Sequence, residues 1–267
     1  MDTRVASGRT FHHVFLGVFA LLFAATAALT IVRCASMSAM PGMQMPGGWT
    51  MSMVWMRMPG QTWPEAAASF IGMWAVMMTA MMLHSLVPML WRYRQPVGRA
   101  RALRAARLVA LVALGYFFVW SLFGLAVFPF GVATAALEMH RPMLARLAPI
   151  AAGLVVLIAG ALQFTPWKSH RLTCCREVPG LEPTLPPDGA SAWRQGLQCG
   201  FHCSLCCANL TAVLLVLGVM NLPAMVAVTV AITAERLAPA GERVAQVIGF
   251  IVVGTGVMLI ARAVEFR

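Results

Sequence analysis

An all-α, polytopic transmembrane helical bundle is the fold class this chain predicts, and three observations predict it. Of 267 residues, 60% are hydrophobic and 11% carry a charge, against about 45–50% apolar and about 25% charged in soluble domains. The apolar residues gather in runs near the roughly 20 that a helix needs to span a bilayer. The arginines stand at the ends of those runs, where basic residues fix orientation and meet headgroups. A soluble protein of this composition would need a polar shell that 20 basic and 9 acidic side chains cannot supply.

The first run is Val14–Val32, preceded by Arg4, Arg9 and His12–His13. A cleaved signal peptide has an apolar core of only about 7–15 residues, so the run reads as a retained helix. The second, about Ala67 to Trp91, is followed by Arg92–Arg107, a stretch with six Arg and no acid. The excess of basic residues in cytoplasmic loops places that stretch inside. The amino terminus is then cytoplasmic as well, and the segment of about residues 34–66 is extracytoplasmic. A third span, Leu108 to about Phe128, is ended by Pro129 and Gly131, and a short outer segment carries Glu138, His140 and Arg141. The fourth, about Leu147 to Phe164, returns to a cysteine-containing cytoplasmic loop of about residues 166–199, whose stretch Pro179–Arg194 reads as irregular. The fifth runs from near Gly200 to about Leu222, and a last one covers about Val244 to Ala261. Between them Pro223–Glu235 is marginally long enough to cross. One integral membrane domain, residues 1–267, with six or seven spans is therefore expected.

The net charge of +11 would suggest nucleic acid in a soluble protein. Here no basic surface is interleaved with aromatics, so the partner of that charge is the lipid bilayer. Nineteen of the basic residues are Arg and one, Lys168, is Lys. With abundant Ala and Gly this hints at a GC-rich bacterial genome and hence at the bacterial inner membrane.

Six of the seven cysteines fall between Cys174 and Cys207. A disulfide framework is more evenly spread, so the clustering points to metal or redox chemistry. Cys199, His202, Cys203, Cys206 and Cys207 have offsets of 3, 4, 7 and 8, which share one helical face. Thiolates and imidazole suit Cu(I), with zinc as the alternative. For a helix starting near Gly200, the positive end of its dipole favours thiolates in the first turn. Cys174 and Cys175 enter from the preceding loop. The pair Cys203/Cys206 also fits a membrane thiol–disulfide oxidoreductase, although cytoplasmic thiols stay reduced. The plainest alternative is packing, because free Cys is commonly buried and inert.

Eight of the residues from Met37 to Met58 are methionine. A thioether is a soft ligand that selects Cu(I) and persists in an oxidising compartment where thiols pair. Met43, Met45, Met51 and Met53 are the candidate outer ligands; an interfacial anchor built with Trp49, Trp55 and Trp63 is the rival reading. The series continues into the second span at Met77 and Met81, beside His84, and an intramembrane His is a functional candidate.

Taken in order, "MWAVMMTAMMLHSLVPM" (Met73–Met89), "GYFFVW" (Gly115–Trp120), "GLQCGFHCSLCC" (Gly196–Cys207), "GVMNL" and "AERLAPAG" resemble a bacterial family of predicted metal-binding integral membrane proteins of uncharacterised function. The resemblance covers most of the chain from about Met43. It departs at His84, where the family usually has Pro, and at "WKSHRLTCC" (Trp167–Cys175), where the family usually has Leu-Lys-x-x-Cys-Leu. It implies metal binding, but no substrate or reaction.

The expectation is a soft-metal protein handling Cu(I) by capture, transfer or delivery, with a cuproenzyme or copper chaperone as partner. No ATP-binding loop, phosphorylated-Asp motif or soluble engine is visible, so any movement of the metal is passive, exchange-based or partner-driven; an enzyme is the lesser expectation. The alternatives are the oxidoreductase and an assembly subunit whose Met and Cys only pack.

Overall fold

The computed structural model describes residues 2–39, 42–46, 48–97, 102–176 and 188–265. Among them run eight α-helices: α1 (Asp2–Ser38), α2 (Trp63–Val97), α3 (Ala102–His140), α4 (Pro142–Ala161), α5 (Pro166–Arg176), α6 (Gly189–Leu217), α7 (Leu222–Leu237) and α8 (Gly241–Glu265). Six of them, all but α5 and α7, are long and apolar enough to cross a membrane. The all-α bundle expected from composition is the observed fold.

Between α1 and α2 the chain forms a two-stranded antiparallel hairpin, β1 (Met43–Met45) and β2 (Trp49–Met51), with Met43 opposite Met51 and Met45 opposite Trp49. Part of the Met-rich segment, Met43–Met45 and Trp49–Met51, therefore pairs as strands. Gly48 closes its turn at φ +76°, a conformation that glycine adopts without steric cost. Met45 and Met51 bury against Ala135 of α3 and Ala145 of α4, and the Trp49 indole donates to the Ala145 carbonyl at 2.9 Å.

The hairpin marks one face of the bundle. Trp49, Met143 at the start of α4, Leu217 at the end of α6 and Arg262 near the end of α8 line one cavity there. α8 runs antiparallel to α4, since Gly153 meets Ile260 and Gly160 meets Val253. α7 begins at the hairpin face, where Met225 touches Cys34 of α1. It ends near Gln163, where α4 ends, through Glu235. Its 16 residues rise about 24 Å, short of the roughly 30 Å hydrocarbon core. So the doubtful sixth segment is a short helix that carries the chain back through the bundle between α6 and α8.

Two boundaries differ from the sequence reading. α3 does not stop at Pro129 but runs 39 residues through it, about 58 Å at 1.5 Å per residue. A Cβ on Gly131 would strike the Trp55 ring, so this glycine serves packing against the hairpin segment and ends nothing. α6 starts at Gly189, not near Gly200. Asp188 caps it by accepting from the Ser191 N–H at 2.8 Å, while the Ser191 hydroxyl accepts from the Asp188 N–H at 3.1 Å. This reciprocal cap satisfies two otherwise orphaned donors. Cys199 thus lies three turns into α6, and the dipole argument for thiolates in a first turn does not apply. The stretch read as an irregular linker is partly this helix; its residues 179–187 lie outside the described residues.

Candidate thiol centre

Three glycines bring α3 and α6 almost into backbone contact. A Cβ at Gly196 would strike the Val112 carbonyl, one at Gly200 would lie 2.8 Å from the Tyr116 carbonyl, and one at Gly115 would lie 2.8 Å from the Trp193 carbonyl. Small residues at such spacing let membrane helices approach closely. The approach sets the Tyr116 hydroxyl 2.9 Å from the Cys203 Sγ.

The sulfurs converge at this point. Cys203 and Cys207 stand 3.9 Å apart, Sγ to Sγ. Cys175, from α5, lies beside Cys203 and Cys206, and its interaction with these thiols, Cys203 foremost, pushes its own thiol well above the usual range. Cys206 in turn contacts Cys207. Cys203, Cys206 and Cys207 are buried. Arg236, from the last turn of α7, donates to the Cys203 Sγ at 3.1 Å.

A second polar layer holds these elements together. Lys168 of α5 and Glu235 of α7 form an ion pair of 2.7 Å, exposed by only 1% and 2%. Lys168 Nζ also donates to the Cys206 carbonyl at 2.9 Å. Gln163 Nε2 donates to Glu235 Oε1 at 2.6 Å, and Asn209 Nδ2 to the Ala159 carbonyl at 3.3 Å. Burial opposes the Lys168 charge, but Glu235 and the neighbouring sulfurs outweigh it and hold the ammonium pKa above its usual value. Buried charge persists only when paired and hydrogen-bonded, and here each partner comes from a different element.

Of the cysteines singled out in the sequence, four meet at this centre: Cys175, Cys203, Cys206 and Cys207. Cys199 is buried one turn earlier on α6, its sulfur accepting from Gln195 Nε2 at 3.5 Å. Cys174 is half-buried, with its Sγ 3.6 Å from His170 Nε2. His202 is half-buried, packs beside Phe201 with centroids 6.2 Å apart, and leaves its Nδ1 without a hydrogen-bond partner.

The methionine and His84 positions lie elsewhere. Met77 is buried in α2 and, with Met73 and Met220, lines a cavity of about 190 Å³. Met81 and His84 line a separate groove shared with Met225; the edge of the Phe23 ring faces His84 at 4.4 Å, and His84 Nδ1 has no partner. On the hairpin Met43 is exposed, whereas Met45 and Met51 are enclosed; Met53, in the 3-10 turn Met53–Trp55 that follows, is half-buried. Tyr116, Lys168, Glu235 and Arg236 were not singled out as site residues. Only their presence in segments dominated by apolar or arginine-rich neighbours marks them, and a lone Lys or Glu beside an apolar run reads equally as a membrane-edge charge.

The donor set is soft. A soft ion with metal–sulfur bonds of about 2.3 Å, the zinc–thiolate value, needs sulfurs about 3.8–4.0 Å apart in tetrahedral or trigonal geometry, and the Cys203–Cys207 separation meets this. Among the described residues no three His, Cys, Asp or Glu side chains are already arranged as a metal-holding group. A closed shell thus requires the neighbouring thiols to turn inward.

A polytopic helical bundle of membrane-spanning length, with a buried thiol centre backed by an ion pair, defines a membrane-type protein equipped for soft-ligand chemistry. The chain belongs to the PpoB2 copper chaperone family, whose model matches residues 71–259. That range runs from α2 into α8 and contains the whole thiol centre, while the Met hairpin lies before it. No curated protein and no solved structure matches the chain.

Proposed function

We propose that this protein is a bacterial inner-membrane copper handler that holds Cu(I) as cargo on Cys203 and its neighbouring thiols and passes it by ligand exchange to a cuproenzyme or copper chaperone. The carrying observation is the convergence of Cys175, Cys203, Cys206 and Cys207 beside Arg236. Cu(I) held by two thiolates bears one net negative charge. Lys168 and Glu235 cancel each other, and the Arg236 guanidinium offsets the complex, so a low-dielectric site tolerates it. Zn(II) in a full thiolate shell would carry two negative charges and fits this charge set less well. Thiolate ligation of the cargo displaces thiol protons, so affinity falls as pH falls. The exposed Met43 and half-buried Met53 supply thioethers for capture on the extracytoplasmic side.

The test is competition between purified, reduced protein and a Cu(I) chelator. Cys203→Ser should weaken binding by more than the roughly 10–100-fold cost of losing an outer-shell partner, and Phe201→Leu on the exposed face should not. Equal affinities for the two variants would reject the thiol centre as the copper site. Thiol–disulfide exchange by metal-free protein, lost with Cys203→Ser or Cys206→Ser, would instead establish the oxidoreductase.

A further inference from the structure

Cys34 is the one cysteine outside the stretch that forms the thiol centre. It sits near the end of α1, only 3% exposed. Its Sγ lies 3.7 Å from the Met220 Sδ and 3.8 Å from the Met225 Sδ. Met220 belongs to the turn between α6 and α7, and Met225 to the first turns of α7. The Cys34 sulfur of α1 thus meets the two methionine sulfurs around the start of α7 at the hairpin face, at separations close to the about 3.8–4.0 Å that metal–sulfur bonds of about 2.3 Å impose. Next to them is the cavity of about 190 Å³ lined by Met73, Met77 and Met220, with Thr30 and Ser69.

We infer that Cys34, Met220 and Met225 form a second Cu(I) site, a receiving station on the hairpin side of the bundle, distinct from the thiol centre near the far end of α7. This rests on the copper reading above. Binding is a simple exchange: the Cys34 thiol gives its proton to solvent, the thiolate and two thioether sulfurs bond Cu(I), and neither metal nor sulfur changes oxidation state. One thiolate with one Cu(I) is a neutral unit, which an apolar site accepts. Three thioethers alone would leave a buried positive charge, which is costly without a counter-charge. The single cysteine among methionines therefore has a charge-balancing role that a third methionine would not fill. Cys34 also lies remote from the other thiols along the depth of the bundle, so it has no internal partner for a disulfide. The cavity lined by Met73, Met77 and Met220, which Arg33, Thr30 and Ser69 also line, gives the ion a partly sulfur-lined approach from α2.

The experiment uses the full chain in detergent under reducing conditions, in a background with Cys175, Cys203, Cys206 and Cys207 changed to Ser. Cu(I) is titrated against bathocuproine disulfonate, and the bound ion is examined by X-ray absorption at the copper edge. One Cu(I) per chain with sulfur-only ligation is expected. Cys34→Ser, or Met220→Leu with Met225→Leu, should weaken it by at least the roughly 10–100-fold that an outer-shell loss costs. These swaps preserve volume, and unchanged thermal unfolding checks the fold. If the background chain binds no Cu(I) while the unsubstituted chain does, the second site is refuted and the thiol centre stands. Binding in the background that ignores both the Cys34 and the methionine changes also refutes it. If the unsubstituted chain binds no Cu(I), the copper reading itself fails.

Discussion

Arg236 of α7 donates to the Cys203 sulfur of α6 at 3.1 Å, so the 16-residue helix between α6 and α8 carries the charge that faces the thiols. Its neighbour Glu235 points to Lys168 of α5. Two consecutive residues at the end of α7 thereby tie the thiol centre to the ion pair behind it. Sequence spacing within α6 alone cannot show this, because both contacts cross between elements.

The first prediction concerns Arg236. Arg236→Gln keeps a donor near Cys203 and removes the charge. Cu(I) affinity should fall about 10–100-fold, as for other outer-shell partners. Arg236→Lys should recover part of the loss, since it restores charge without the planar fork. Chelator competition measures both, and equal losses in the two variants would show that geometry, not charge, matters.

The second concerns the α3–α6 crossing. Gly196→Ala places a methyl against the Val112 carbonyl, and no flexible side chain is there to yield. Overpacking of this kind costs about 1–3 kcal/mol. It should also move Tyr116 away from Cys203, so thermal stability and Cu(I) affinity should drop together. Tyr116→Phe removes only the hydroxyl and should weaken Cu(I) with little loss of stability. An Ala variant that lowers stability but leaves affinity intact would separate the crossing from the site.

Much of this was legible in the sequence, and the parts that were not share a cause. The stripe Cys203–Cys206–Cys207 is a local helical pattern, so its face follows from spacing alone. That Cys175 joins it while Cys174 turns toward His170 depends on how α5 docks on α6. Pro129 reads as a helix end because proline removes an N–H, yet α3 continues through it. The hairpin methionines read as one class of ligand, but Met45 and Met51 are enclosed by Ala135 and Ala145. Cys34 was passed over because its partners, Met220 and Met225, stand 186 and 191 residues away.

The third prediction follows from that division of the hairpin. Met45→Ala and Met51→Ala should destabilise by about 2–5 kcal/mol, the usual cost of such truncations in a packed interior. Met43→Leu with Met53→Leu should leave stability unchanged and lower copper uptake by cells at low supply. Uptake unchanged in that double variant would favour the interfacial anchor. A Thr50→Cys variant fixes the side: this exposed position should react with a membrane-impermeant maleimide in intact cells. Reaction only after lysis would invert the expected orientation.

The last prediction concerns the Lys168–Glu235 pair. Both side chains are essentially inaccessible, and each has further polar partners: the Cys206 carbonyl for Lys168 and Gln163 for Glu235. Removing one member leaves the other charged and buried, which costs about 3–5 kcal/mol in soluble proteins. Lys168→Met should therefore lower the unfolding midpoint in detergent sharply, and Glu235→Gln should lower it too, because its single amide oxygen replaces only one of the two carboxylate oxygens that meet Lys168 and Gln163, and the amide NH2 then faces a donor. Replacing both, Lys168→Met with Glu235→Leu, removes both charges and should recover much of the loss, as apolar replacement of whole buried pairs does. The pair holds α5 against α7, and Lys168 also donates to the Cys206 carbonyl of α6, so together they set where Cys175 meets Cys203. The double variant should then be stable yet bind Cu(I) less tightly than the unsubstituted chain, because α5 is no longer pinned. Recovery of stability and affinity together would show that the pair serves packing alone.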